Sequence, residues 1–437
     1  MKDEQKSFQR NNPTFTKELR KICEDWIKDD GSPFDMILAR DGNILFHDAF
    51  GEDDYGKFTI NTPSEIASIT KLFTGILFAQ FVDQNIIGID DPVGKYLPDF
   101  PLEGPQAITL RHCFTHTSGL DGHGLFNGVH NPWLENTLFQ TIKNKTAGTR
   151  YKYNGMGHDL AGKVMEAVSG KSVFRLFHEY LYEPLGMKNT YHTWDLGYSV
   201  HSTAYDLSLL AQMVLNKGSY GGKQYFSEDT YEKILPKDLK QFYPNLTYDN
   251  DWDRGRRVGI GTMFQEWKIK NKDLGTESFM LSENVIGHGS ATSSQFRIDL
   301  DNNIIITQTR RRGKSRFGHH FETMYQHIDS SLVKGILFLT VISLAIGDQR
   351  SDVLGVTYVK FLACGLIMMQ VIQQSFAHSS SSLMMGKMMG TVIDIVGSPL
   401  SAAEVTISVV LASVTRGFSI ALISSLIFTF FLNIQIY

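Results

Sequence analysis

The chain has 437 residues, which is enough for at least two structural units and a large buried core. Its 42 basic and 46 acidic residues leave a net charge of −4, so the chain has no global basic field with which to bind nucleic acid. The three cysteines, Cys23, Cys113 and Cys364, are far apart and odd in number, and they support neither a disulfide framework nor a thiolate metal site. Catalysis or small-molecule binding is the favoured class of function.

Two predicted hairpins stand near the two ends of the first 330 residues. Residues 1–13 are polar and lack the apolar core of a secretory signal, so we expect a disordered lead there, followed by a helix near Phe15–Lys28. In residues 34–51, two apolar runs surround Asp41-Gly42, a pair typical of a tight hairpin turn. Residues 294–310 predict a second hairpin that turns at Asp301–Asn303.

Helical patterns fill the region between the hairpins. Apolar residues recur at helical spacing after residue 70 and again after residue 159, at Leu72, Ile76, Ala79, Val82, Leu160, Val164 and Val168. Strands at both ends around a helical middle predict that the ends of this region meet in one antiparallel sheet. The expected fold class is therefore α/β in the loose sense (α+β), a sheet flanked by helices with a helical subdomain.

Ser68 and Lys71 stand at positions i and i+3 at the start of the first helical pattern. On a helix this spacing places an amine on the same face as the hydroxyl, where it can accept the serine proton. The helix N-terminus also points backbone N–H groups at a developing oxyanion. The same spacing recurs at Ser331 and Lys334, where nothing else suggests chemistry, so the pair alone is weak support for catalysis.

Five segments in order resemble the serine β-lactamase-like hydrolases, which include class C β-lactamases, D-alanyl-D-alanine carboxypeptidases, D-aminopeptidases and related esterases. The segments are Ser68-Ile-Thr-Lys71, DDPVGKYLPDFP (90–101), ITLRHCFTHTSGL (108–120), GTRYKYNGMGHDLAG (148–162) and IGHGSATSSQFRIDL (286–300). The resemblance covers about residues 14–328 and implies a β-lactamase-like serine hydrolase domain over 14–330.

The resemblance implies roles for particular residues. Ser68 is similar to the family's nucleophile, Lys71 to its base and Tyr153 to the phenol that passes protons to the leaving group and to water. His288 falls where the family has a Lys or His on the strand that faces the site. The remaining implied positions are the oxyanion-hole N–H groups of Ser68 and Ala291 and the substrate-binding residues Asn154, Gly289 and Ser290.

Two departures from the family pattern bear on substrate. Gly155 stands where the second motif usually has Asn, with Asn154 one residue early, and Ser290 stands where the third motif usually has Gly. His288 has an unperturbed pKa of about 6.5, so it is mostly neutral at cytoplasmic pH, unlike a lysine. We therefore expect a small-molecule ester or amide substrate hydrolysed through an acyl-enzyme, with simple esters preferred over β-lactams and D-amino-acid peptides.

No metal or cofactor is predicted. His178-Glu179 lacks the second histidine of a zinc helix, and four further histidines have no ligand pattern, namely His123, His130, His319 and His320. The segment GHDLAGKV (157–164) has the spacing of a phosphate loop, but Val164 replaces its Ser or Thr and the segment has a helical pattern.

The composition becomes membrane-like after residue 330. From residue 361 to 437 the charged residues are Lys387, Asp394, Glu404 and Arg416 alone. A helix needs about 20 apolar residues to cross a bilayer, and residues 417–437 meet this length best, with 361–386 second. The alternative is a buried helical hairpin of a soluble domain.

The segment 331–437 also resembles part of the permease subunit of ABC-2 type exporters. An all-α transmembrane segment would attach the chain to the cell inner membrane, with the hydrolase domain on the cytoplasmic side, and the chain would be cytoplasmic if the segment does not insert. An ABC ATPase is expected as a partner only if this segment is functional. The rival hypothesis is a membrane transport component that carries a hydrolase-like passenger domain.

Overall fold

The structure is a computed structural model that describes residues 13–121, 128–250, 253–254, 257–264, 268–271, 276–279, 281–311 and 317–334, together with a few positions between 368 and 415. The chain divides into two compact units, Met1–Val333 and Lys334–Tyr437. The first unit ends three residues beyond the boundary at 330 that the composition predicts. Residues 1–12 of the predicted disordered lead lie outside the described residues.

Ten α-helices are described in the first unit. They are α1 Pro13–Asp30, α2 Thr70–Asp83, α3 Leu110–Phe114, α4 Leu134–Ile142, α5 Met156–Ser169, α6 Val173–Phe177, α7 Glu183–Leu185, α8 Ala204–Leu215, α9 Glu228–Ile234 and α10 Phe317–Ile328. Short 3₁₀ turns cover Ala67–Ile69, Val93–Lys95 and Leu239–Gln241, and π-helical turns cover His178–Tyr182 and Asp329–Lys334.

The strands are short except at the centre of the main sheet. They are β1 Phe34–Arg40, β2 Asn43–Phe50, β3 Glu52–Asp53, β4 Gly56–Lys57, β5 Ser64–Glu65, β6 Arg150–Tyr151, β7 Tyr191–His192, β8 Val200–Ser202, β9 Ser219–Tyr220, β10 Lys223–Gln224, β11 Lys237–Asp238, β12 Thr247–Tyr248, β13 Arg257–Val258, β14 Met263–Phe264, β15 Lys268–Asn271, β16 Thr276–Phe279, β17 Val285–His288, β18 Gln295–Asp299 and β19 Ile304–Arg310.

The main sheet joins the two ends of the first unit, as the sequence predicts. Its strand order is β11-β13-β14-β17-β18-β19-β1-β2, and β1 pairs antiparallel with β19 from Phe34 opposite Arg310 to Arg40 opposite Ile304. Both predicted hairpins are confirmed: β1 turns into β2 at Asp41-Gly42, where both residues have positive φ, and β18 turns into β19 before Ile304. The predicted first helix is confirmed as α1.

The two faces of the sheet pack against different helices. Ile304 and Ile306 alternate with Ile305 along β19, so the first two lie in a cluster with Trp26 of α1 and Met324 of α10. Ile305 lies in the larger cluster that contains the helices of the middle region. Since every residue of β19 is buried, this strand is covered on both faces, and a hydrocarbon side chain fully buried there contributes about 1.5–3 kcal/mol.

Helix α2 runs through the larger cluster and is buried on all sides. Every residue from Thr70 to Phe81 is buried, which is the pattern of a central helix and not of a surface one. The Thr74 hydroxyl adds a hydrogen bond of 2.6 Å to the carbonyl of Leu196, far along the chain. The helix is therefore a rigid support for whatever its first turn carries.

Residues 335–437 lie almost entirely outside the described part of the chain. Most of the segment that resembles a permease therefore lies outside the described residues as well. Within the residues that the structure describes, we find no helix with the length and apolar character needed to cross a bilayer. The membrane segment, its inner-membrane location and an ABC ATPase partner stay predictions.

Candidate active site

Ser68 lies on the turn that leads from β5 into α2. The turn is a 3₁₀ helix over Ala67–Ile69, and Ala67 has the left-handed φ of 44°. A non-glycine residue in this conformation costs on the order of 1–2 kcal/mol, and such strain is concentrated at functional sites. Ala67 and Ile69 are fully buried, whereas Ser68 between them is partly exposed. The strained turn thus presents a serine hydroxyl at the N-terminus of a rigid helix.

Lys71 follows on the first turn of α2 and is buried. Its Nζ donates a hydrogen bond of 2.7 Å to the carbonyl of Gly197 and lies 4.9 Å from the ring centroid of Tyr153. An ammonium at that distance from an aromatic face is attracted to it. The amine of Lys71 and the phenol of Tyr153 are therefore neighbours, although 82 residues separate them in sequence.

His116 holds the segment that carries Tyr153. The backbone carbonyl of His116 accepts from the N–H of Lys152 at 2.9 Å, and its Nδ1 accepts from the N–H of Asn154 at 3.3 Å. The rings of His116 and Tyr153 also pack, with centroids 4.6 Å apart. His116 itself has a left-handed φ of 59°. One strained histidine therefore braces the backbone on both sides of Tyr153.

His288, the last residue of β17, completes the group. Its Nδ1 lies 2.7 Å from the carbonyl of Gly289, which can only accept, so Nδ1 carries a hydrogen. In the neutral tautomer the lone pair of Nε2 faces the Tyr153 hydroxyl, 3.5 Å away. Arg297 donates a hydrogen bond of 2.7 Å to the His288 carbonyl and fixes the strand end. The described geometry brings Lys71, Tyr153 and His288 together.

The turn after His288 is tied to the backbone that precedes Ser68. The Ser290 hydroxyl lies 2.8 Å from the carbonyl of Ile66, to which it donates, and 2.7 Å from the hydroxyl of Thr292. Ala291 is exposed on this turn. The side chain of Ser290 therefore connects two segments of the site, and the backbone of Ala291 is held on the same side of the molecule as Ser68.

The presence of Gly155 where the second motif of the family usually has Asn can be followed in the structure. The Asn154 side chain is used locally, with Nδ2 donating to the Lys152 carbonyl at 2.8 Å and Oδ1 accepting from the Gly157 N–H at 3.4 Å. Gly155 is the N-cap residue directly before α5, and a Cβ there would lie 3.7 Å from Cα of Gly197. The backbone of Gly197 thus lies directly against the position where the family has an asparagine side chain.

A small cavity adjoins Lys71 and His288. It is narrow and partly open to solvent, and it is also lined by His116, His158 and Thr262. His158 is fully buried, and neither ring nitrogen has a hydrogen-bond partner among the described residues. Burial, reinforced by the charges of Lys71 and the two other histidines, holds the pKa of His158 well below its usual value. His158 is therefore a neutral imidazole next to the lysine.

The sequence did not single out several residues that support this site. His116 and His158 lie inside the quoted segments THTSGL and GHDLAG, so the motif match located them but gave them no role. Asp159 also lies inside GHDLAG and likewise has no role assigned by the motif match. Gly197 and Asp195 carry no sequence signal, because their contacts join segments that are far apart in the chain. Among the described residues no group of three or more His, Cys, Asp or Glu side chains could hold a metal ion.

A serine on a strained helix-initiating turn, followed at three residues by a lysine that neighbours a phenol and an imidazole, is an arrangement that can carry out acyl transfer. Residues 36–315 match the family model described as Beta-lactamase. The match covers more than half of the chain, and the chain belongs to the Beta-lactamase family. The matched region includes Ser68, Lys71, Tyr153 and His288.

Sequence similarity to individual proteins agrees with this family assignment. The chain is 32% identical over 171 residues to the D-alanyl-D-alanine-carboxypeptidase/endopeptidase AmpH of Escherichia coli, covering 36% of this chain and 44% of that protein. It is 29% identical over 228 residues to the teichoic acid D-alanine hydrolase of Staphylococcus aureus, covering 48% and 56%. The chain thus spans about half the length of the curated relatives it matches.

A solved structure shows the same fold. The octameric penicillin-binding protein homologue from Pyrococcus abyssi superposes with a TM-score of 0.55 at 17% identity, over 75% of this chain and 81% of that one. The expected β-lactamase-like arrangement of sheet and helices is confirmed.

Proposed function

We propose that the first unit hydrolyses small ester or amide substrates through an acyl-enzyme on Ser68. The observation that carries this proposal is the convergence of Lys71, Tyr153 and His288 next to the turn that presents Ser68. The Nζ of Lys71 lies 4.9 Å from the Tyr153 ring, whose hydroxyl lies 3.5 Å from Nε2 of His288.

The roles follow from these positions. The Ser68 oxygen attacks the carbonyl carbon. Lys71, which must be in its neutral form for this step, and Tyr153 accept the serine proton and pass it to the departing alcohol or amine. The N–H groups of Ser68 and Ala291 stabilise the oxyanion. Water, deprotonated by the same groups, then attacks the acyl carbon and releases the acid together with free Ser68.

His288 is a positioning group for Tyr153 in this mechanism. Because its Nδ1 hydrogen faces the Gly289 carbonyl, the neutral ring offers Nε2 to the Tyr153 hydroxyl and can hold the phenol in line with the reacting centre. The family resemblance assigns Asn154, Gly289 and Ser290 to substrate binding. The local hydrogen bonds of Asn154 and Ser290 favour a supporting role for those two side chains.

The substrate preference rests on Gly155 and His288. A β-lactam would find neither an asparagine amide at position 155 nor a lysine at position 288, whereas attack on an activated ester needs only the serine and its proton-transfer groups. We propose that short-chain aryl esters are hydrolysed better than β-lactams. Comparison of kcat/KM for p-nitrophenyl butyrate and nitrocefin tests this preference, and a higher value for nitrocefin would contradict it.

A second candidate substrate is a D-alanyl ester or amide. It is favoured by the two relatives, whose names record activity on D-alanine derivatives. Release of D-alanine from D-alanyl-D-alanine or from a D-alanine ester, assayed beside p-nitrophenyl butyrate, separates the two candidates.

The proposed nucleophile is tested by covalent labelling. Treatment with a fluorophosphonate followed by peptide mapping should place the label on Ser68, and Ser68→Ala should abolish it. Since residues that act as a unit fail together, Ser68→Ala and Lys71→Ala should each lower kcat by at least about a thousandfold with the fold retained. Ser331→Ala, which removes the serine of the second Ser-x-x-Lys spacing, is the matched control with unchanged kcat. Turnover at the wild-type rate in Ser68→Ala would refute the assignment.

A further inference from the structure

The loop Trp194–Ser199 runs along the side of α2 that carries Lys71. The Gly197 carbonyl accepts from the Lys71 Nζ at 2.7 Å, and the Leu196 carbonyl accepts from the hydroxyl of Thr74, one turn further along the helix, at 2.6 Å. The loop therefore supplies a hydrogen-bond acceptor to the buried amine of Lys71. Its position decides where that amine lies.

Two buried carboxyl groups hold this loop. Asp159 of α5 accepts from the N–H of Leu196 at 2.9 Å through Oδ1 and from the N–H of Gly128 at 3.0 Å through Oδ2. Asp195 accepts from the N–H of Gly197 at 2.7 Å. The two carboxyl groups also hydrogen-bond to each other. Gly197, whose carbonyl contacts Lys71, and Leu196 directly before it are thus each fixed by one member of the pair.

A hydrogen bond between two carboxyl groups requires a proton between them. Burial, followed by the neighbouring Asp195, raises the pKa of Asp159 well above its usual value, and burial raises the pKa of Asp195. The charged group that faces the pair from α2 is Lys71, which opposes the rise at Asp195. Backbone N–H groups of Leu196, Gly128, Gly197 and Tyr198 also hydrogen-bond to the pair. Asp159 is the member that keeps the proton.

The contact between loop and site leaves little space. A Cβ on Gly197 would lie 2.9 Å from Cα of Gly155 and 3.3 Å from Nζ of Lys71. Real Cβ atoms essentially never approach backbone within 3.0 Å, so a side chain here would displace the loop and its carbonyl from Lys71. The position of the carbonyl is therefore specified closely.

We propose that Asp159 and Asp195, sharing one proton, are positioning residues that place the Gly197 carbonyl on Lys71 and so keep the lysine in register with Ser68. This inference rests on the proposed function. When the shared proton is lost, two adjacent buried carboxylates repel each other and the loop moves away from α2, so the pair sets an alkaline limit to turnover.

Two substitutions at Asp195 distinguish positioning from simple stability. Asp195→Asn keeps an oxygen for the Gly197 N–H, and its amide can donate to the Asp159 carboxylate in place of the shared proton. Asp195→Ala removes both interactions. We expect Asp195→Ala to lower kcat for p-nitrophenyl butyrate by about tenfold or more with KM within about twofold, which is the loss for one misplaced hydrogen bond. Asp195→Asn should keep kcat within about threefold and extend the alkaline limb of the pH profile.

Asp206 provides the matched control. It is also a buried aspartate whose pKa burial raises, and it accepts from the N–H of Asn189 at 2.7 Å and the hydroxyl of Thr190 at 2.8 Å, away from Lys71. Asp206→Ala should lower the melting temperature and leave kcat unchanged. Wild-type kcat in Asp195→Ala, or an unshifted alkaline limb in Asp195→Asn, would overturn the proposal.

A second variant covers the case in which Asp195→Ala does not fold. Gly197→Ala leaves the carboxyl pair intact and displaces the carbonyl, so it should lower kcat by about tenfold or more, and wild-type kcat would overturn the proposal. Fluorophosphonate labelling of the wild-type full chain separates the two claims. Absence of label on Ser68 contradicts the proposed function, whereas normal labelling of wild type with an equal labelling rate in Gly197→Ala contradicts the positioning role alone.

Discussion

Replacement of Asp35 by asparagine should make the protein more stable at neutral and alkaline pH. Asp35 lies in β1 and is fully buried, where it accepts from the N–H of Ala204 at 2.8 Å and from the hydroxyl of Thr309. Burial raises its pKa from 3.8 to about 7. A rise of roughly three units corresponds to a free energy on the order of 4 kcal/mol.

The sign follows from proton binding. The folded protein binds the Asp35 proton more tightly than the unfolded chain does, so this contribution to stability is fully present below pH 3.8 and is lost as the pH rises through about 7. Asparagine keeps an oxygen for the Ala204 N–H and does not titrate. The difference in unfolding free energy between Asp35→Asn and wild type should therefore increase in favour of asparagine between pH 4 and pH 8.

Urea unfolding of both proteins, followed by tryptophan fluorescence at several pH values, measures that difference. Asp90→Asn is the control, since the hydrogen bond from Arg111 lowers the pKa of Asp90 and its contribution is already constant above pH 5. A difference between Asp35→Asn and wild type that is independent of pH would refute the reasoning, because it would mean that the buried carboxyl titrates alike in the folded and unfolded chains.

Two further predictions concern the brace behind the phenol and the end of the first unit. His116→Ala removes the acceptor of the Asn154 N–H and the ring packed on Tyr153. The kcat for p-nitrophenyl butyrate should therefore fall by about tenfold, while Ser68 still reacts with a fluorophosphonate. An unchanged kcat would show that these His116 contacts are not needed. A chain shortened to end at Lys334 should be folded and active. A chain that ends at Ser330 lacks the buried Leu332 side chain and the Leu332 carbonyl, which accepts a hydrogen bond of 2.6 Å from Arg40, so its free energy of unfolding in urea should be lower by about 2–3 kcal/mol. Equal stability of the two shortened chains would contradict this prediction.

Local sequence signals predict much of the fold. The pair Asp41-Gly42 predicts its hairpin because both positions adopt positive φ, which asparagine, aspartate and glycine tolerate, and the structure has φ values of 49° and 79° there. The antiparallel meeting of β1 and β19 followed from the placement of strands at both ends of the region. The pairing register, with Phe34 opposite Arg310, could not be predicted, because it depends on side chains that meet across nearly 280 residues of sequence.

The candidate site was only partly accessible from sequence. Ser68 and Lys71 could be paired by helical spacing, and the resemblance brought Tyr153 and His288 to the same site. The brace from His116 depends on a left-handed backbone at a histidine, for which the sequence has no local rule. Gly197 gave no signal either, since its role comes from its backbone carbonyl and from the absence of a side chain.

The first turn of α2 is held from two sides, and this explains how a strained serine turn can persist. On the sheet side, the Ser290 hydroxyl binds the carbonyl of Ile66, directly before the strained Ala67. On the helical side, the Gly197 carbonyl binds Lys71. A left-handed alanine is kept only where its surroundings determine the backbone more strongly than its own preference does. The two contacts therefore have a common consequence: the loop after β17 and the loop before β8 fix the conformation of the turn between them, and substitutions in either loop act on Ser68 without touching it.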